Sequence, residues 1–148
     1  MDNIVKRMSE PYNHNSVQKQ VGKEPERETI LIVEDEYLLL KLLQEVFEGA
    51  GYNVIAVNTS VEALNIYRKR HSSITAVVAD LGLPFVNGWE LINMLRLEKN
   101  DLRAIVMTSF IEPCSRQEIL RNRNISDVFI KPFNPFDLVE RVKCLLAN

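Results

Sequence analysis

The chain has 148 residues, enough for one domain with an extension, and its 46% hydrophobic and 26% charged residues suit a globular protein with one core. A formal net charge of −2 gives no ground for direct nucleic-acid contact or an anionic membrane surface. No apolar run approaches the roughly 20 residues that cross a bilayer. The N-terminus lacks the apolar stretch of a secretory leader, so the expected address is the cytoplasm, without a membrane partner.

In chain order, residues 1–28 come first as a polar segment rich in Asn, Gln, Glu and Lys, with Pro11 and Pro25. They are expected to form a flexible arm ahead of a domain over 29–148, with Ile4, Val5 and Met8 as a short docking helix within it. From Thr29 onward, short β-branched runs alternate with amphipathic stretches. The runs are Thr29–Val33, Tyr52–Val57, Ile74–Ala79, Arg103–Thr108 and Asp127–Ile130. Four of these five lack strict polar–apolar alternation, as strands covered on both faces do.

Between the runs the period changes to helical. Leu39, Leu42, Leu43, Val46 and Phe47 mark a first helix ending at Gly49 or Gly51. Thr59 to Glu62 reads as a capping box opening a second. Trp89, Ile92 and Leu95 mark a third. Pro113 suits the first turn of a short, arginine-rich fourth reaching Asn124, and Phe136, Val139, Val142 and Leu146 mark the last. Such a βα succession predicts a three-layer α/β domain whose chemistry gathers beyond the carboxyl ends of its strands.

The residues at those ends form a set. The first run is followed by Glu34-Asp35-Glu36, the third by Asp80, the fifth by Lys131-Pro132-Phe133, and the fourth closes on Thr108 before Ser109. Carboxylates brought that close repel unless a cation joins them. Oxygen donors with few dedicated ligands suit Mg²⁺, which favours phosphate company, so the set points to phosphoryl chemistry. Singly, each has a plainer role: a strand-end aspartate forms turns, acids favour helix N-termini, and a lysine before proline is usually a solvated charge. Glu36 in particular suits a first-turn acid. The two cysteines, Cys114 and Cys144, are far apart and read as structural thiols, and His14 and His71 as solvated.

The segments ILIVEDEYLLL, VVADLGLPFVNGWEL, AIVMTSF and VFIKPF, in that order and spacing, resemble the receiver domain of two-component response regulators, the CheY-like superfamily. The resemblance covers about 120 residues from Thr29 onward. It implies a flavodoxin-like (βα)5 fold with a five-stranded parallel sheet of order 2-1-3-4-5. By the same resemblance Asp80 is the phosphoacceptor, and Glu34, Asp35, Asp80 and the Gly82 carbonyl hold Mg²⁺. Thr108 and Lys131 contact the phosphoryl group, Gly88 closes the acceptor loop, and the Lys131–Pro132 bond is cis. A sensor histidine kinase or phosphotransfer protein is the implied donor. Self-dephosphorylation resets the switch, and an altered protein contact, with homodimerisation on phosphorylation as one form of it, carries the output.

Some positions depart from the family pattern. Val128 stands where many relatives carry Tyr or Phe, with Phe129 beside it and expected on the opposite face. Glu34 replaces a common Asp, and Phe110 is a large ring two residues after Thr108. Arg116, Arg121 and Arg123 lie on the usual output face, where a solvated helix is the plainer reading. A pseudo-receiver used only for binding is the alternative from another class, and the complete acidic, Thr and Lys set speaks against it. A flavodoxin-type carrier needs a hydroxyl-rich phosphate loop where this chain has Glu34-Asp35-Glu36.

Overall fold

Residues alternate between two apolar layers along each central strand, and that alternation builds the molecule. In the computed structural model, which describes residues 22, 24–109, 119–121 and 125–147, strand β1 is Thr29–Val33 and is wholly buried. Leu31 and Val33 enter one layer, while Ile30 and Ile32 enter the other. The same holds for β3 (Ile74–Asp80), with Val77 and Ala79 opposed to Ala76 and Val78. It holds again for β4 (Ala104–Thr108), with Ala104 and Val106 opposed to Ile105 and Met107. Runs apolar on both faces need cover on both faces, which a parallel sheet with crossover helices provides.

Strands β2 (Asn53–Val57) and β5 (Asp127–Ile130) complete one parallel sheet of order β2-β1-β3-β4-β5. This is the expected order. Helices α1 (Tyr37–Gly49) and α4 (Pro135–Leu146) cover one face, and α2 (Ser60–Arg70) and α3 (Gly88–Glu98) the other. The β1–β3 register slips between Thr29 and Ile30, and Thr75, the residue left out, donates its hydroxyl to the Thr29 carbonyl at 3.0 Å.

Helix ends follow local chemistry. Thr59 accepts from the Glu62 N–H at 3.2 Å, as its capping box predicts, and Asn87 and Asn134 cap α3 and α4 in the same manner. At the end of α1, Gly51 rather than Gly49 takes the left-handed conformation, with φ +98. The Gly51 N–H donates to Glu48 and the Tyr52 N–H to Phe47, closing the last turn.

Two expected helix faces are rotated. On α1 the buried residues are Leu40, Leu43 and Phe47, with Leu42 45% exposed. On α4 they are Leu138, Val139 and Val142, with Phe136 65% exposed. Adjacent apolar residues permit either rotation, and packing on the sheet selects one. The three-residue stretch 119–121 is helical; the rest of the expected fourth helix, with Phe110, Cys114, Arg116 and Arg123, lies outside the described residues, as does most of the N-terminal arm with His14. Among the described residues no helix is long and apolar enough to cross a membrane.

Candidate functional site at the carboxyl edge of the sheet

Each site residue is carried to the edge by a backbone ladder that continues past the strand. The Glu34 N–H donates to Val57 at 3.1 Å, Leu81 to Met107 at 2.8 Å and Lys131 to Thr108 at 2.8 Å. Asp80 pairs in register with Met107, and Thr108 with Ile130, so Asp80, Thr108 and Lys131 end on neighbouring strands.

The side chains of Glu34, Asp80 and Lys131 converge. Lys131 Nζ donates to Glu34 Oε2 at 2.7 Å and to Asp80 Oδ2 at 3.1 Å. The other oxygens are also held: Asp80 Oδ1 accepts from the Gly82 N–H and Glu34 Oε1 from the Glu36 N–H, both at 3.0 Å. Glu34 is fully buried, Asp80 and Thr108 are nearly so, and Asp35 faces solvent. Glu36 sits one residue before α1, and its side chain makes no capping bond, so the first-turn role expected of it is corrected. Its backbone, instead, orients Glu34.

Burial pushes the Glu34 carboxyl up to about 7, against the pull of its hydrogen bonds from Lys131 and the Glu36 N–H. Burial would lower the Lys131 pKa, yet its bonds to Glu34 and Asp80 carry it upward on balance. The ammonium is therefore firmly charged.

Oxygens of Glu34, Asp35 and Asp80 lie within 4.8 Å of one another. Three carboxylates against one ammonium leave a formal surplus of two negative charges, which one divalent cation would cancel. An all-oxygen donor set of this kind fits a hard cation such as Mg²⁺.

The loop after Asp80 is tightly tied down. A Cβ on Gly88 would press into the Asp80 carbonyl oxygen and stand 2.9 Å from Leu81 Cα, so only glycine fits there. Ser60 Oγ donates to the Val86 carbonyl at 2.6 Å, fastening the loop to α2. Between them Phe85 has φ +67 inside a three-residue turn closed by the Val86 N–H on Pro84 at 2.9 Å. That turn is a strained one for a bulky residue, and the Phe85 ring is fully exposed.

On β5, Val128 is buried in the α2–α3 layer, and Phe129 lies in the α1–α4 layer, where it meets Phe133 edge-on at 5.5 Å. The aromatic residue thus stands on the face away from Val128, as alternation requires. The Lys131–Pro132 bond is cis.

Sequence reasoning missed three of these features. The Lys131–Glu34 contact had a signal, since Glu34 is one methylene longer than the usual Asp. The Ser60 tether had none. The strain at Phe85 was signalled only by a bulky residue standing between Pro84 and Gly88.

Fold and site define a parallel α/β module with an acidic, lysine-anchored cluster at its strand ends. The response regulator receiver domain model matches residues 30–143, and the chain belongs to that family, the CheY-like module of two-component signalling. It is 34% identical over 125 residues to a probable transcriptional regulator, ycf27, of Porphyra purpurea, covering 84% of this chain and 50% of the relative. It is 31% identical over 116 residues to sporulation initiation phosphotransferase F of Bacillus subtilis, covering 78% of this chain and 91% of the relative. The chain thus spans about half the length of the ycf27 regulators it matches, but most of the Bacillus protein. Among solved structures, a CheY-like receiver domain protein of Methanospirillum hungatei is similar at TM-score 0.73 and 26% identity, over 82% of this chain and 95% of that one. A receiver domain of Clostridium thermocellum shares the fold at TM-score 0.74 and 20% identity, over 81% and 94%.

Proposed function

We propose that Asp80 accepts a phosphoryl group from a phosphohistidine of a sensor histidine kinase or phosphotransfer protein. The observation that carries this reading is the placement of Asp80, with Lys131 3.1 Å away and the Glu34 and Asp35 oxygens within 4.8 Å. Phosphoryl transfer needs positioning and charge neutralisation more than covalent help.

A carboxylate oxygen of Asp80 attacks phosphorus as the N–P bond of the donor breaks, and the released imidazole nitrogen takes up a proton. Lys131 balances the charge of the incoming oxygens, and Thr108 at the end of β4 offers a hydroxyl to one of them. Glu34, Asp35, Asp80 and the Gly82 carbonyl would hold Mg²⁺, which supplies positive charge to the phosphoryl oxygens. Water later attacks phosphorus, the acyl phosphate O–P bond breaks, and Asp80 returns as a carboxylate with inorganic phosphate released. Output would then pass through altered protein contacts, including homodimerisation on phosphorylation, from a cytoplasmic receiver unit over 29–148 that follows a polar arm.

Incubation with radiolabelled acetyl phosphate and Mg²⁺ tests the reading. Wild type should take up acid-stable, base-labile phosphate, and Asp80→Asn should take up none. Equal labelling of the two, or none in wild type, would leave the chain as a binding module with receiver architecture.

A further inference from the structure

A groove of about 430 Å³ runs between α1 and α4, away from the strand-end cluster. Val46, Gly49, Ala50, Phe136 and Val139 line it, together with Glu45 from α1 and Glu140 from α4. Phe136 is 65% exposed, although it is a large ring on the first turn of a helix. Neither Glu45 nor Glu140 has an ion-pair partner among the described residues. An apolar trough between two unpaired acids calls for a short apolar segment flanked by cations.

We propose that this groove is the docking site of the chain's own residues 4–8, seated through Ile4, Val5 and Met8.

The charge matches. Within residues 1–28, the apolar residues cluster near the start, and Ile4, Val5 and Met8 bracket the cationic pair Lys6-Arg7. In a helical turn Ile4, Val5 and Met8 share one face, while Lys6 and Arg7 lie off it to either side, where long flexible side chains can curl back to the two acids. Such a segment is too short to be helical alone, so docking and helix formation occur together.

The path also matches. The chain enters the sheet beside this face: the Asn53 N–H donates to the Glu28 carbonyl at 2.9 Å, and Asn53 Nδ2 to the Arg27 carbonyl at 3.4 Å. Tyr52, next to Asn53, packs on Phe47 of α1 at 5.9 Å. Its phenol pKa is raised by burial first, then by the Glu28 and Glu140 carboxylates, which places the entry point near the α4 rim. Residues 9–26 are then a tether that reaches roughly 60 Å extended, more than the width of a 120-residue domain. A tethered segment needs little intrinsic affinity, because the linker supplies a millimolar effective concentration.

Carbodiimide coupling on the full chain tests this, since it forms an amide between Lys6 Nζ and a carboxylate in contact with it, with loss of water. Peptide mass spectrometry should find Lys6 joined to Glu45 or Glu140 within one chain. The yield should fall about fivefold or more in Ile4→Asp/Val5→Asp and in Phe136→Asp, with amide exchange over 45–50 and 136–140 faster by a similar factor. Phe136 is exposed, so that variant should fold. Equal yield in wild type and variants means chance collision of a tethered lysine and overturns the proposal. Links between ¹⁴N and ¹⁵N chains in a mixed sample assign the groove to a second copy, and no link with unchanged exchange leaves it bare; both also overturn it.

Discussion

The ammonium of Lys131 lies nearer Glu34 than Asp80, at 2.7 Å against 3.1 Å, so the cation that faces Asp80 is anchored on a fully buried glutamate. Glu34 is cut off from bulk solvent, and its charge is tolerable because Lys131 and the Glu36 N–H meet it.

Removing the cation should therefore cost more than removing the pair. Lys131→Met is expected to lose about 3 kcal/mol, and Lys131→Met combined with Glu34→Gln to regain at least ~1 of that. Urea denaturation of wild type, both single variants and the double variant gives the comparison. A double variant no more stable than Lys131→Met would mean that packing, not charge, carries the cost.

Divalent cation should stabilise the fold. At one hundred times its dissociation constant, Mg²⁺ adds about 2.7 kcal/mol if it binds only the native state. Asp35 is exposed, so Asp35→Asn should keep the core while losing most of the rise in Tm. An undiminished rise in that variant would place the cation elsewhere.

The loop after Asp80 offers two glycine substitutions of very unequal cost. Gly88→Ala forces a methyl against the Asp80 and Leu81 backbone and should cost about 3 kcal/mol, whereas Gly82→Ala meets only Asp80 Oδ1 at an ordinary 3.6 Å and should cost under ~1. Equal losses from the two would count against the close approach at Gly88.

Phe85→Gly should do the reverse. Releasing a bulky residue from φ +67 saves about 1–2 kcal/mol, of which added chain entropy takes back roughly half. The net expectation is a gain of ~0.5 kcal/mol in the same urea assay, with Phe85→Ala unchanged because it keeps the backbone strain.

Tyr67 supplies the pH dependence. It is fully buried, and its hydroxyl has no hydrogen-bond partner among the described residues. Burial, then the Asp101 and Glu98 carboxylates, push it from 10.0 up to about 12. A folded-state pKa above the unfolded one means that this group's contribution is intact below pH 10 and is lost as pH climbs towards 12. Tyr67→Phe should flatten that alkaline decline and match or exceed wild type at neutral pH by about 1 kcal/mol. A variant that declines as steeply as wild type would assign the alkaline loss to other groups.

Much of this molecule is legible in one dimension. The boundaries of β1 and β5 follow from composition alone, and β2, β3 and β4 differ from their apolar runs by one residue at one end. Buried parallel strands write themselves as continuous apolar runs, and strand-end residues are named by where those runs stop. Glu34, Asp35, Asp80, Thr108 and Lys131 were visible in that way.

What the chain alone left open depends on reach and rotation through space. Leu40 rather than Leu42 faces the core because the sheet beneath α1 selects one of two equivalent apolar stripes. Gly88 is indispensable because another stretch of backbone passes within contact of it, which no local pattern records. The amino-acid sequence thus determined that three acids, a hydroxyl and one lysine would meet at a sheet edge, since strand polarity alone brings them there. Only the tertiary structure decided that Lys131 would lean towards Glu34, because that outcome rests on strand spacing, side-chain length and the complete burial of one carboxylate.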